Sequence, residues 1–241
     1  MRTASEFVDI VLVFGEVRLP CHKVVLASNC EYFKRMFLAG LKESGPDNVI
    51  MEGIDSDTGV LLVKYLYSGN ISITEENAEN LLSASNMLLL SDLTGAIEKF
   101  LCKHIQPANC VPLLNLSHLL ECQDLIKESR KFITDKWDDL SDAAIVEIQE
   151  DDMEAILKQH ECQEENFLRL QSWVKSVDGG EERFLRMLEN VKLSKCRKSF
   201  VHDTVMNEEL LQNKKGVKLI QQALKDILIS KFLLITLCFI I

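Results

Sequence analysis

Asp9-Ile-Val-Leu-Val-Phe-Gly-Glu-Val-Arg-Leu-Pro-Cys-His-Lys-Val-Val-Leu-Ala-Ser-Asn-Cys-Glu-Tyr-Phe-Lys-Arg-Met-Phe-Leu-Ala-Gly-Leu41 decides the fold. Its β-branched and apolar start, Val8 to Phe14, reads as a strand. Gly15-Glu16 makes a turn, and Val17 to Leu19 makes a second strand that Pro20 ends. A helix begins near His22 with Val24, Val25 and Leu26 as its apolar stripe. Ser28 and Asn29 break it, and Glu31 to Leu38 forms a second helix through Tyr32, Phe33, Met36 and Phe37. The stretch predicts a hairpin followed by a tight helical pair.

The elements after Leu41 extend this pattern. Residues 48–51 read as a short strand, and Ser56 is placed to cap a helix reaching Tyr67. A brief strand is expected over 71–73. Thr74 or Asn77 opens the next helix, and Ser91-Asp92 caps another that carries Leu93, Ile97, Phe100 and Leu101. Short strands feeding paired helices predict an α/β domain of about 100 residues. From Gln106 the strand signals vanish. Pro107 suits a first helical turn, and Asp124 is placed to cap a helix from Leu125 to Trp137. Asp151 and Glu154 resemble a capping box. Gly179-Gly180 ends a segment containing Trp173 and Val174, Arg183 to Val191 begins another, and Gly216 to Asp226 makes a last helix. This half predicts an all-α bundle or stack.

The chain has 241 residues, 47% hydrophobic, with a net charge of −10. Residues 1–105 hold 9 basic and 14 acidic groups, and residues 106–241 hold 18 and 23, so each part carries −5. Even acidity without a basic stripe argues against nucleic-acid binding. The 8 cysteines form no CxxC pair, and the five histidines are dispersed, so no metal site, cofactor site or catalytic constellation is expected. His160 and Cys162 lack an orienting third group. Met1 to Glu6 is short and polar, unlike a secretory leader, and scattered thiols fit a reducing, cytoplasmic or nuclear compartment. Residues 228–241 are an apolar tail. Ten helical residues rise only ~15 Å, about half a bilayer's hydrocarbon core, so a membrane anchor is the lesser reading beside an appended end that exposes apolar surface.

The string Asp9-Ile10-Val11-Leu12, then His22 to Ser28, Tyr32-Phe33 and Met36-Phe37 resembles the start of a BTB (POZ) domain. Tyr65 to Ile71 and Leu81 to Leu93 resemble its later helices. Asn109-Cys110, Trp137, Trp173-Val174, Val191 to Leu193 and Leu210-Leu211 follow the order of the BACK domain of Kelch-like proteins. The resemblance implies an α/β BTB domain over 7–105 and an all-α BACK domain over 106–227. It places Asp9 and Lys23 as a partly buried charged pair beneath the dimer face. It implies a non-catalytic scaffold resembling a substrate-adaptor subunit of a cullin-3 RING ubiquitin ligase. Leu41-Lys42-Glu43 has the hydrophobic-x-acidic form with which such proteins dock on cullin-3, Phe37 and Tyr67 border that face, and residues 109–133 resemble the 3-box. Only eight residues precede Asp9, too few for the family's swapped N-terminal helix, so weakened homo- or hetero-dimerisation is expected. No Kelch repeat is recognisable before Ile241. The alternative is a BTB oligomerisation module that does not bind cullin.

Overall fold

The computed structural model describes residues 6–39, 48–175 and 180–238, with side chains described as far as Ile229. The chain divides into two compact units. The first comprises residues 1–104 with 117–125, and the second 105–116 with 126–241.

In the first unit, β1 (Ile10–Phe14) pairs antiparallel with β2 (Val17–Cys21) and parallel with β3 (Asn48–Ile50), giving the order β2-β1-β3. Gly15 turns the hairpin at φ +56°, a left-handed conformation that glycine adopts without a Cβ clash. Period-two alternation buries Ile10, Leu12 and Phe14 on one face. Leu26 of α1 (Lys23–Asn29), Phe33 of α2 (Glu31–Ala39) and Leu62 and Val63 of α3 (Ser56–Ser68) are buried as well. Gly59 of α3 sits on the Phe14 ring so closely that a Cβ would come within 2.4 Å of it. α4 (Ala78–Met87) and α5 (Ser91–Lys103) complete the unit.

Four expectations change here. Pro20 does not end the hairpin but pairs with Val11 inside β2. β2 is an edge strand, where a residue without an N–H can sit with no ladder bond lost. Residues 71–73 join no sheet among the described residues, and the Ser72 carbonyl instead accepts from Asn77 Nδ2 at 3.0 Å. The cap of α3 is Asp55, whose carboxylate accepts from the Thr58 N–H at 2.9 Å and is held below its usual range by that bonding. Ser56, the expected cap, instead donates its hydroxyl to Phe14 O at 2.7 Å. Ser91 is the first residue of α5 rather than its cap, which is Leu90.

The second unit is built from helices, and no strand occurs among its described residues. These are α6 (Cys110–Leu119), α7 (Gln123–Asp135), α8 (Asp142–Val146), α9 (Glu150–Gln159), α10 (Gln163–Val174), α11 (Gly180–Leu188), α12 (Lys198–Asp203) and α13 (Lys214–Cys238). Trp137, Ile145, Met153, Ile156, Phe167, Leu170, Trp173, Phe184 and Val201 lie in one contiguous core. The turn between α6 and α7 belongs to the first unit. Pro107 lies in a turn just before α6 rather than in the helix, with the Cys110 N–H donating to Gln106 O at 2.9 Å across it. Asp124, Asp151 and Glu154 fall inside their helices rather than at the caps, since α7 starts at Gln123 and α9 at Glu150. Carboxylates in a first helical turn still complement the positive end of the helix dipole. α11 starts three residues earlier than expected, and α13 runs well past Asp226.

Candidate functional site

The junction from β2 to α1 is built around His22. Its N–H donates to the Tyr67 hydroxyl oxygen at 2.7 Å, and its Nδ1 lies 2.9 Å from the same oxygen. Nε2 lies 2.9 Å from the Glu6 carbonyl, which can only accept. The proton therefore sits on Nε2, and Tyr67 O–H donates to Nδ1. Tyr67 is thus committed to holding the hairpin-to-helix corner, and its ring remains half-buried on α3. Asp9 is exposed, and its Oδ1 accepts from the Lys23 backbone N–H at 2.7 Å. This differs from the expected partly buried pair of charges. The carboxylate serves the start of α1, which leaves the Lys23 ammonium free to lie 6.0 Å above the Phe37 ring.

Phe37 stacks on buried Phe33 with centroids 6.0 Å apart. Around it α1 and α2 form an open apolar groove of about 420 Å³, lined by Lys23, Val24, Ala27, Lys34, Phe37 and Leu38. Val24 is 74% and Leu38 79% exposed. Large apolar side chains grouped at a surface mark a site that another molecule covers. Leu41 and Glu43, the two anchors expected for cullin, lie outside the described residues.

A second surface escaped the sequence reading. The α4–α5 turn and residues 120–124 enclose a cleft of about 480 Å³ lined by Leu89, Leu90, Thr94, Glu98, Leu120 and Glu121, among others. Asn86 Nδ2 donates to Leu120 O at 3.0 Å, and Glu98 Oε1 accepts from the Leu125 N–H at 3.1 Å, which fixes the two walls. Three non-glycine residues have positive φ among those described, and two of them, Leu89 at 57° and Glu121 at 58°, sit on this cleft. Such backbone costs on the order of 1 kcal/mol each. Here it holds a half-exposed leucine and a carboxylate at the rim. No Lys, Arg or His lines the cleft, while Glu98, Glu121 and Asp124 do. The surface therefore suits an apolar segment flanked by cations.

The buried thiols Cys30, Cys122 and Cys196 are structural. Cys30 is buried and donates to Leu88 O at 3.3 Å. Burial, with Glu98 adding to it, pushes the Cys122 thiol up to about 11, and burial likewise pushes Cys196 up to about 12. Such thiols carry almost no thiolate at neutral pH. Among the described residues no three His, Cys, Asp or Glu side chains gather as metal ligands.

Residues 1–105 match the family model for the BTB/POZ domain. The first unit is a BTB domain, and a helical region follows it. Over nearly its whole length the chain is similar to Kelch-like proteins. It is 27% identical over 228 residues to Kelch-like protein 40 of Xenopus laevis, covering 92% of this chain and 37% of that protein. It is 30% identical over 227 residues to Kelch-like protein 25 of Homo sapiens, covering 91% and 38%. It is 32% identical over 254 residues to Kelch-like protein 25 of Xenopus laevis, covering 99% and 42%. Among solved structures, the BTB domain of zebrafish PATZ1 aligns at TM-score 0.38 and 26% identity, covering 42% of this chain and 80% of that one. The chain is thus similar to Kelch-like BTB proteins, and it spans about two fifths of the length of those curated relatives.

Proposed function

We propose that this chain is a non-catalytic scaffold that acts, within the cytoplasm or nucleus, as an adaptor subunit of a cullin-3 RING ubiquitin ligase. In this reading the ligase chemistry belongs to the partners, and residues 106–227 are a BACK domain whose first helices, 109–133, serve as the 3-box. Cullin-3 docks on Phe37, Leu41, Glu43 and Tyr67. The observation that carries the proposal is the cleft at Leu89 and Glu121. Its backbone is strained, and it sets Leu89, Leu90 and Leu120 beside Glu98, Glu121 and Asp124, within a BTB domain similar to those of Kelch-like proteins. Backbone strain held at an open surface points to a surface kept for a partner. In the sequence Leu41 stands two residues after the last residue of α2 and would supply an apolar anchor, while Glu43 would supply a carboxylate that sets register.

Calorimetric titration with the cullin-3 N-terminal region tests the reading. Leu41→Ala should weaken binding by roughly thirty-fold, since an interface anchor typically carries ~2 kcal/mol. Glu43→Ala should cost less and lose its effect at high salt, because a rim carboxylate is screened. Equal binding by wild type and Leu41→Ala, or none by wild type, sinks the adaptor reading. The exposed groove at Val24, Phe37 and Leu38 favours a second reading, a BTB oligomerisation module. That reading stands if cullin-3 fails to bind while sedimentation shows concentration-dependent association.

A further inference from the structure

α13 has an inner and an outer face. At helical spacing, Ile220, Ala223 and Ile227 fall on one side and are buried in the core of the second unit. The opposite side carries Lys214, Val217, Lys218, Gln221, Lys225 and Leu228, all exposed. Val217 is 42% and Leu228 46% exposed. Between residues 214 and 229 four lysines stand against one acid, Asp226, in a protein whose net charge is −10. Asp226 is half-buried and accepts from Gln222 Nε2 at 2.8 Å. Lys215, on the flank, lies 3.9 Å from Glu189. The outer stripe is thus three lysines interleaved with two apolar side chains.

The cleft at Leu89 in the first unit has the converse make-up. It sets Leu89, Leu90 and Leu120 beside Glu98, Glu121 and Asp124, and no Lys, Arg or His lines it. Leu89, Glu121 and Asp124 are exposed, whereas Glu98 is engaged by the Leu125 N–H. One chain therefore carries both an apolar and cationic stripe and an apolar and anionic cleft. Copies with a net charge of −10 repel one another. Association between them needs a place where opposite charges meet, and α13 supplies the lysines.

We propose that the outer stripe of α13 in one copy docks on the acidic cleft of a second copy. The lysines answer the carboxylates, and Val217 and Leu228 answer the leucines. The contact joins two different surfaces, so it is heterologous and builds a ring or an open chain of copies. It does not rest on the adaptor reading, although a docked helix would compete with cullin-3 for the cleft.

Sedimentation velocity of the 241-residue chain over the micromolar range tests this. Wild type should associate as concentration rises, and less so in concentrated salt, which screens exposed pairs. A surface charge pair is worth roughly two- to five-fold in binding, and reversal turns its attraction into repulsion. Lys214→Glu/Lys218→Glu/Lys225→Glu should therefore weaken association at least about thirty-fold, and Glu121→Lys/Asp124→Lys at least about ten-fold. All five side chains are exposed, so circular dichroism should show both variants folded. Mixed in equal amounts, the two variants should associate again, since the helix of each now opposes the cleft of the other. Val24→Glu/Leu38→Glu, in the α1–α2 groove, should associate like wild type. A monomeric wild type overturns the proposal and leaves the stripe to a different acidic partner. Unweakened association of Glu121→Lys/Asp124→Lys overturns it, as does a mixture that stays dispersed. Association lost in Val24→Glu/Leu38→Glu alone assigns the contact to the groove instead. No cullin enters these measurements, so failure here leaves the adaptor reading standing, and failure of the cullin titration leaves this contact standing.

Discussion

The two units hold themselves together by different means. In the first, a three-stranded sheet ties distant segments through backbone bonds, and the ion pairs among its described residues are local, Glu31 with Lys34 and Arg35. The second has no sheet among its described residues, and side chains make its long-range ties. Arg130 donates twice to Asp152 Oδ1, at 3.0 and 2.6 Å. Arg169 donates to the carbonyls of Leu140 and Asp138 at 2.9 and 2.8 Å. Glu150 holds Arg183 and Arg186, Glu164 holds Arg197, and Trp173 Nε1–H donates to Ile148 O. A helix satisfies its own backbone, so only side chains remain to fix its register against its neighbours. The sheet-bearing unit can leave Val24, Leu38 and Leu89 at its surface, because its architecture does not depend on them.

The largest expected effect therefore comes from breaking a tie in the second unit. Asp152 is 1% exposed. Arg130→Met leaves its charge buried without the guanidinium and should cost about 3 kcal/mol or more, whereas Arg130→Met/Asp152→Leu should recover most of that loss. The two tryptophans, Trp137 and Trp173, both lie in the second unit, and the three tyrosines all lie in the first. In urea, tryptophan fluorescence should shift to a lower midpoint for Arg130→Met. A double variant as unstable as the single one would show that burial of this pair is not what holds the helices.

A smaller effect separates binding from folding in the first unit. Leu89→Gly removes left-handed strain of on the order of 1 kcal/mol. Against this stands a comparable gain in unfolded-state entropy, so the urea midpoint should barely move. Binding of the cullin-3 N-terminal region should fall by roughly thirty-fold, as for a lost apolar anchor. A variant that binds normally would remove the cleft from the adaptor reading.

What was legible in the sequence follows the same division. The β-branched, apolar run of β1 and the aromatic spacing of α2 are legible in the sequence, because each reports a buried face through neighbouring residues. Caps were misread at Ser56, Ser91, Asp124 and Asp151, where several small polar residues compete within one turn and tertiary bonds decide among them. Ser56 was claimed by Phe14 O across 42 residues. The cleft was invisible for a related reason. Leucine and glutamate give no sign of left-handed backbone, and Asn86 meets Leu120 across 34 residues.

The smallest effect tests whether the exposed ties of the second unit matter at all. Arg197 hydrogen-bonds Glu164 through its side chain, Nη2 to Oε2 at 2.6 Å and Nε to both oxygens at 3.0 Å. Its backbone N–H also donates to Oε1 at 2.7 Å. The guanidinium bonding holds the Glu164 carboxyl below its ordinary value of 4.5. A carboxyl lowered in the folded state contributes stability above its unfolded value and loses it as pH falls through the folded one. Glu164→Gln keeps an oxygen for the Arg197 N–H and removes only the charge. At neutral pH the variant should melt slightly below wild type by tryptophan fluorescence. The gap should close as the pH drops below 4.5 and should narrow in concentrated salt, because Arg197 is largely exposed and its field is screened. A gap that persists unchanged into the acid range would mean that packing of the side chain, not its charge, joins α10 to the segment before α12.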